Sequence, residues 1–344
     1  MKMNRYFMFA LAGLTFAACS NDEDSSALTQ SKKSVEIAIK NYTNAINRST
    51  GEMTKEQTQC TNINQLTFLF TNGKTALEAK KINDADKIEG SSNKYVFHNI
   101  PEGVTAVSIV GNYIEAAVGT NIEDIKKKAV SEQQKTLQDV IVYGECTKLT
   151  TEGVQDPDID NHTPVYSAGE ITVAPLLARL EVYSIQCTDL GVKYSAITPQ
   201  AIGLSNYLDK IDGTATQYMT FTEFTNAIAG WAKDNISDLT LNSSEVKGTD
   251  TYVYNIAPGL PEIILQAEVT GNNIQVSNPK YTRATQYKGG SGNIEKFEAG
   301  KIYQIAYQFT EDDITTDRGN VICVEATVDI ADWEIVNNIT PGFN

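Results

Sequence analysis

Alternation of apolar and polar residues with a period of two runs through most of the chain and predicts a protein built chiefly of β-strands. Val35, Ile37 and Ile39 alternate with Glu36, Ala38 and Lys40, so a strand is expected over 34–40 with three apolar side chains on one face. Leu66, Phe68 and Phe70 share a face opposite Thr67 and Thr71, and Asn72-Gly73 follows as a turn signal. Tyr95-Val96-Phe97 and Val104 to Gly111 read as two further strands joined by the turn Pro101-Glu102-Gly103. Thr120 to Ala129 is expected to be helical, with acids in its first turn and Lys126, Lys127 and Lys128 near its end, as the helix dipole favours. A second polar helix is expected around Ser131 to Gln138, then a strand at Val140-Ile141-Val142.

Thr150 to Ala168, with Gly153, Pro157, Pro164 and several acids, reads as a loop approaching a domain boundary. The pattern restarts at Glu170-Ile171-Thr172-Val173. Next, Ala178, Leu180 and Val182 alternate with Arg179, Glu181 and Tyr183. Strands follow at Tyr252 to Ile256, at Ile263 to Val269 and at Tyr303 to Phe309. Phe221, Phe224, Ile228 and Trp231 recur at helical spacing and predict one short amphipathic helix with a packing stripe. The last strand has Ile322, Val324, Ala326, Val328 and Ile330 on one face and leads into Asp332-Trp333-Glu334-Ile335-Val336.

The first residues change the picture from a plain β-protein to an exported one. Lys2 and Arg5 precede Tyr6 to Ala18, an apolar stretch that suits a secretory signal and falls short of the roughly 20 residues of a spanning helix. It ends Phe16-Ala17-Ala18-Cys19, which looks like a bacterial lipobox with Cys19 as the lipidated residue. Ser20-Asn21-Asp22-Glu23-Asp24 resembles the acidic tether of surface-exported lipoproteins. The remaining length favours two domains. A formal charge of −15 and a pI near 4.6 argue against nucleic-acid partners, since phosphate is repelled.

Candidate chemistry adds little. Cys60, Cys146, Cys187 and Cys323 show no CxxC spacing; three pairings are open to them, and free buried thiols are the expectation. With His98 and His162 alone, zinc and nucleophile–base catalysis lack partners, and His98 is expected as a packed or rim histidine. Gly289-Gly290-Ser291-Gly292 lacks the lysine and helix of a phosphate loop and reads as a hairpin tip. Asp156-Pro157-Asp158-Ile159-Asp160-Asn161 starts like a calcium loop but has neither its central glycine nor its closing glutamate, so it reads as a solvated loop. No enzyme activity, cofactor or metal is expected.

Arg48 stands out. It lies in the polar stretch 41–50 after the first strand and has no arginine neighbour between Arg5 and Arg179. A trypsin-like cut at Arg48–Ser49 would detach one complete strand and little else, leaving a sheet with a gap. The bland reading is an exposed loop arginine on a surface lipoprotein.

In order and spacing, these pieces resemble the fimbrillin family, the type V pilus subunits of Bacteroidetes. The pieces are the lipobox at Cys19, the strand Val35 to Ile39 with an arginine after it, and Leu66-Thr67-Phe68-Leu69-Phe70-Thr71-Asn72-Gly73. The helical insertion near 121–138, Ala178-Arg179-Leu180-Glu181-Val182, Gly300-Lys301-Ile302-Tyr303 and Val328-Asp329-Ile330-Ala331-Asp332-Trp333 complete the set. The resemblance implies a mainly β fold of two transthyretin-like β-sandwich domains with a few short peripheral helices. The expected division is a signal peptide at 1–19, a tether at 20–33, an N-terminal sandwich at 34–169 and a C-terminal one at 170–344.

It also implies a history: export to the outer membrane as a lipoprotein, then cleavage after Arg48 by an arginine-specific protease. The strand bearing Val35, Ile37 and Ile39 is lost, and a C-terminal segment of a neighbouring subunit replaces it. The donor is expected near 322–344, through Trp333, Ile335, Val336, Ile339 and Phe343. Partners are then other pilus subunits, the protease and the membrane, with a host glycan or protein as a further ligand. The mature location is the cell surface, and a stalk position is favoured over an anchor or tip. The second reading is a tip adhesin or monomeric surface-binding lipoprotein, with Trp231, Trp333 and the 16 tyrosines as its material.

Overall fold

The computed structural model describes residues 32–40, 43–44, 60–81, 93–132, 134–135, 140–156, 158, 162–211, 217–218, 224, 232–271, 279–315, 323–332 and 334–337. Contacts gather Lys32–Asn344 into one compact unit, made chiefly of strands. Its N-terminal part is a sandwich of two sheets. The first sheet contains β1 (Lys32–Lys40), β6 (Lys94–Pro101), β9 (Thr150–Gln155) and β10 (Pro164–Thr172), in the order β6-β1-β10-β9. The second contains β4 (Leu66–Thr71), β5 (Ala76–Lys81), β7 (Ala106–Gly111), β8 (Val142–Cys146) and β11 (Ala174–Pro175), in the order β11-β8-β7-β4-β5.

The side chains of Val35, Ile37, Ile39, Leu66, Phe68, Phe70, Phe97 and Ile109 interlock between the two sheets. The outer face of the second sheet is also covered. Helix α1 (Ile122–Glu132) lays Ile125 and Ala129 against Leu69 and Val110. That layer explains why β4 is buried on both faces, Thr67 and Thr71 included. Asn121 caps the helix by accepting the Glu123 N–H at 3.0 Å. Because α1 continues to Glu132, its lysines lie in mid-helix and not in its last turn, and Ser131 extends this helix instead of opening a second one. Lys126 and Lys127 pair with Glu123 and Asp124 one turn earlier, and Lys128 reaches Glu115.

The stretch 150–168, read as a loop, holds the hairpin β9–β10. β9 is an edge strand exposed on both faces, so no core selects an alternating pattern in it. The expected boundary at 169/170 falls inside β10, whose Ile171 packs in the N-terminal core. β11 still belongs to the N-terminal sandwich, so the second begins at Ala178.

The C-terminal part rolls one sheet around a single core. Its strands are β12 (Ala178–Cys187), β13 (Ala196–Ser205), β16 (Lys233–Asn235), β17 (Lys247–Ile256), β18 (Glu262–Thr270), β19 (Lys280–Gly289), β21 (Lys301–Phe309) and β22 (Cys323–Asp332). They run in the order β16-β13-β18-β19-β22-β21-β12-β17, with β20 (Gly292–Asn293) closing a hairpin on β19. Gly292 at the tip has φ +123°, a conformation that favours glycine. The Tyr254 hydroxyl of β17 donates to the Ile202 carbonyl of β13 at 3.2 Å and ties the two ends of the sheet across the core. A short pair, β14 (Tyr207–Leu208) with β15 (Gln217–Tyr218), lies outside this path.

Arg179 and Glu181 of β12, which alternate with its apolar residues, are buried as an ion pair at 2.6 Å. Nearby, the Asn255 N–H donates to the Gln134 carbonyl at 2.6 Å, and Lys135 pairs with Asp234 at 2.6 Å. The helix and its following residues thus fasten the two sandwiches together. Of the expected helix with Phe221, Ile228 and Trp231, Phe224 alone is described. It packs against Ile264 and Tyr281.

The buried carboxylate of Glu311 organises the loop after β12. It accepts backbone N–H bonds from Gly191 at 2.8 Å, Val192 at 3.2 Å, Tyr194 at 3.1 Å and from Lys193. Burial pushes this carboxyl up, but the backbone donors outweigh it and hold it below its ordinary value of 4.5. A depressed folded-state pKa means stability that is present at neutral pH and fades as the pH falls through that value. Glu311→Gln is therefore expected to lower unfolding stability by about 1.5–3 kcal/mol at pH 7 in urea titrations. The difference from the unaltered chain should shrink as the pH drops below 4.5; a gap that stayed constant into acid would refute the assignment.

Candidate functional site: the seat of the first strand

β1 is an interior strand. It pairs antiparallel with β6, Val35 opposite Phe97 and Ile37 opposite Tyr95, and parallel with β10, Val35 opposite Tyr166 and Ile39 opposite Ile171. Val35, Ile37 and Ile39 are each 0% exposed. They rest on an aromatic floor in which Phe68 and Phe97 have ring centroids 4.5 Å apart, with Tyr95 and Phe70 at 5.5 and 5.3 Å from these rings. At the far end the Asn93 side chain donates to the Ile39 carbonyl at 2.6 Å, and the Ile39 N–H donates to the Asn93 carbonyl at 2.9 Å.

The strand starts at Lys32, so the expected tether limit at residue 33 is displaced. Lys33 is buried because its ammonium has partners: it donates to the Glu102 carbonyl at 3.0 Å and to the Val104 carbonyl, and sits 4.6 Å over the Tyr166 ring. Burial pulls this ammonium below its ordinary pKa, and the Glu102 charge partly offsets the shift. Beside it, Ser34 is fully buried and its hydroxyl donates to Asp156, which is 2% exposed. His98 Nδ1 lies 2.6 Å from the same Asp156 oxygen and 3.2 Å from Ser34 Oγ. Burial pushes the Asp156 carboxyl up, but bonds from Ser34, the Asp158 N–H and His98 prevail and hold it below the usual range.

This serine, histidine and aspartate do not make a nucleophile–base relay. Ser34 and Asp156 share one ring nitrogen of His98, and the serine proton is directed at the carboxylate. Asp156 turns inward to this clasp, away from the solvated-loop role expected of it. Cys187 is a free thiol that burial pushes up to about 12, and Cys146 is free as well.

A small parallel sheet pairs a late segment of the chain with two early ones. β23 (Glu334–Asn337) lies between β2 (Thr43–Asn44) and β3 (Cys60–Ile63), with Thr43 opposite Val336 and Thr61 opposite Ile335. In sequence, β2 and β3 lie on either side of the stretch that carries Arg48. Sequence gave no sign of this pairing. Cys19, Arg48, Ser49, Trp231, Trp333, Ile339 and Phe343 lie outside the described residues. Ile335 and Val336 are placed by backbone alone.

No family model matches the chain, and no curated protein matches it by sequence. Its fold is nonetheless that of several solved structures. A candidate cell adhesion protein of Parabacteroides distasonis shares 15% identity at TM-score 0.52, with 89% of this chain and 98% of that one covered. A candidate cell adhesion protein of Bacteroides eggerthii shares 14% at TM-score 0.50, with 91% and 99% covered. A fimbrilin of Porphyromonas gingivalis shares 12% at TM-score 0.51, with 90% and 99% covered.

The seat makes a quantitative demand. Ile37→Ala, which empties the middle of the strand, should cost about 2–5 kcal/mol. Ile114→Ala, at an 82% exposed position, should stay within about 0.5 kcal/mol. Urea unfolding of both variants checks it; equal, small effects would show that β1 does not bear on the core.

Proposed function

We propose that this chain is a subunit of a cell-surface pilus that polymerises by exchange of β1. The observation that carries the reading is the position of β1 inside its sheet, where its removal opens a gap flanked by two unpaired edges. Burying Val35, Ile37 and Ile39 contributes roughly 5–9 kcal/mol at about 1.5–3 kcal/mol each. That approaches the net stability of a whole domain, about 5–15 kcal/mol. A gap of that cost calls for a replacement strand, and β-strand addition restores both the apolar burial and the backbone ladder. The donor and the groove are different surfaces, so the contact runs head to tail and continues as a filament.

On this reading the precursor is lipidated at Cys19 and exported. An arginine-specific protease cuts Arg48–Ser49, and the fragment bearing β1 departs. A neighbour's C-terminal segment, equivalent to Trp333, Ile335, Val336, Ile339 and Phe343 here, takes its place. Three supports converge: the fold shared with a fimbrilin, the mid-sheet strand, and the pairing of β23 with β2 and β3, which precede and follow Arg48 in sequence. A stalk position fits a chain that has both a removable strand and a strand-forming C-terminus.

The test uses the chain without residues 1–19. Arg-specific proteolysis should release one N-terminal fragment ending at Arg48, seen by mass spectrometry, and Arg48→Ala should block that release. Mixed with subunits of the same pilus, the cut chain should form detergent-resistant ladders, and removal of residues 333–344 should end its capacity to extend them. A cut chain that keeps its fragment and stays monomeric with every subunit offered sinks the proposal.

A further inference from the structure

The space that β1 fills is not apolar along its whole length. Beyond Val35, it ends in a partly buried polar pocket made by the Asp156 carboxylate, the carbonyls of Glu102 and Val104, the Tyr166 ring and His98. Lys33 and Ser34 now fill that pocket, cation against carbonyls and hydroxyl against carboxylate. An apolar residue in the place of Ser34 would take a donor from the buried Asp156 carboxylate, and one in the place of Lys33 would take the ammonium from the buried Val104 carbonyl. His98 keeps its bond to Asp156 in either case, so the discrimination falls on the two strand residues.

Resting on the strand-exchange reading above, we infer that this polar end selects the incoming strand. It admits one with Lys or Arg, then Ser or Thr, directly before alternating apolar residues, and that strand belongs to a different subunit. This chain's own segment 333–344 does not qualify. It holds no Lys, Arg, His or Ser, and it carries the acid Glu334. Its one hydroxyl, Thr340, is followed by Pro341 and Phe343 at the places of Val35 and Ile37. Laid in the opposite direction, Thr340 is followed by Ile339 and then by Asn337 at the place of Ile37. Neither direction brings a cation or three apolar anchors. Self-polymerisation is thereby disfavoured, because a mismatched strand pays in unpaired buried polar groups.

The experiment separates this inference from the reading beneath it. The chain without residues 1–19 is cut with an arginine-specific protease, its fragment is removed in mild urea, and labelled peptides are titrated back by fluorescence anisotropy. The peptide Lys32–Lys40 is expected to bind. The same peptide with Lys33→Met and Ser34→Ala is expected to bind at least about tenfold more weakly, as is the 333–344 peptide. Asp156→Asn in the protein should remove most of the preference for Ser34 over Ala. Should the doubly substituted peptide, or the 333–344 peptide, bind within about threefold of Lys32–Lys40, the selective end is overturned while the groove stands. A cut chain that holds its fragment, or refuses the Lys32–Lys40 peptide, overturns strand exchange and this inference together. The doubly substituted peptide leaves the protein itself unaltered, so a misfolded Asp156→Asn variant does not blunt the result.

Discussion

One strand joins two parts of a sheet. Among the described residues β6 and β10 both pair with β1, which is antiparallel to one and parallel to the other. Both ladders, the apolar contact with Phe68 and Phe97, and the burial of Lys33 and Ser34 depend on that single segment. An edge strand could be lost with one row of backbone groups exposed. An interior strand exposes two rows and a core at once. The same position that makes β1 costly to lose makes its seat a strong acceptor for another strand.

The opposite end of the chain is tied to the same neighbourhood. β22 is itself an interior strand, between β19 and β21, with Ala326 and Val328 in the C-terminal core. Ile330 near its end is half exposed, and the chain continues to β23. β23 is held through short backbone ladders to β2 and β3, far less pairing than β22 has.

Much of the fold was legible because burial on one face imposes alternation. β18 and β21 show it plainly: Ile263, Leu265, Ala267 and Val269, then Tyr303, Ile305, Tyr307 and Phe309, all reach the core. Where that cause is absent, the reading failed. β9 is solvated on both faces and passed for loop. β4 is buried on both faces, its threonines included, which alternation alone does not disclose. Lys33 passed for tether, because a lysine is seldom buried unless it finds partners, and its carbonyl partners are about 70 residues away. The clasp of Ser34, His98 and Asp156 is a non-local pairing, and so is the insertion of β23 between β2 and β3. Periodicity records which face a residue occupies, not which distant residue faces it.

The polar clasp also answers a question that the apolar seat leaves open, which is how β1 keeps its register. Val35, Ile37 and Ile39 are near-equivalent in shape, so a slip of two residues would exchange one for another at modest cost on the floor of Phe68 and Phe97. A slip of one residue would turn the apolar set outward and is already forbidden. Lys33 and Ser34 forbid the two-residue slip as well. Moved along by two, Lys33 would carry its charge into the apolar pocket of Val35, and Ser31 would stand where the Lys33 ammonium now meets its carbonyl partners. Buried polar pairs contribute less than their gross strength to stability, but an unpaired one is expensive, so they act chiefly to exclude alternatives. In this sheet the apolar residues supply the holding force, and the two polar residues at its end fix which strand is held and where.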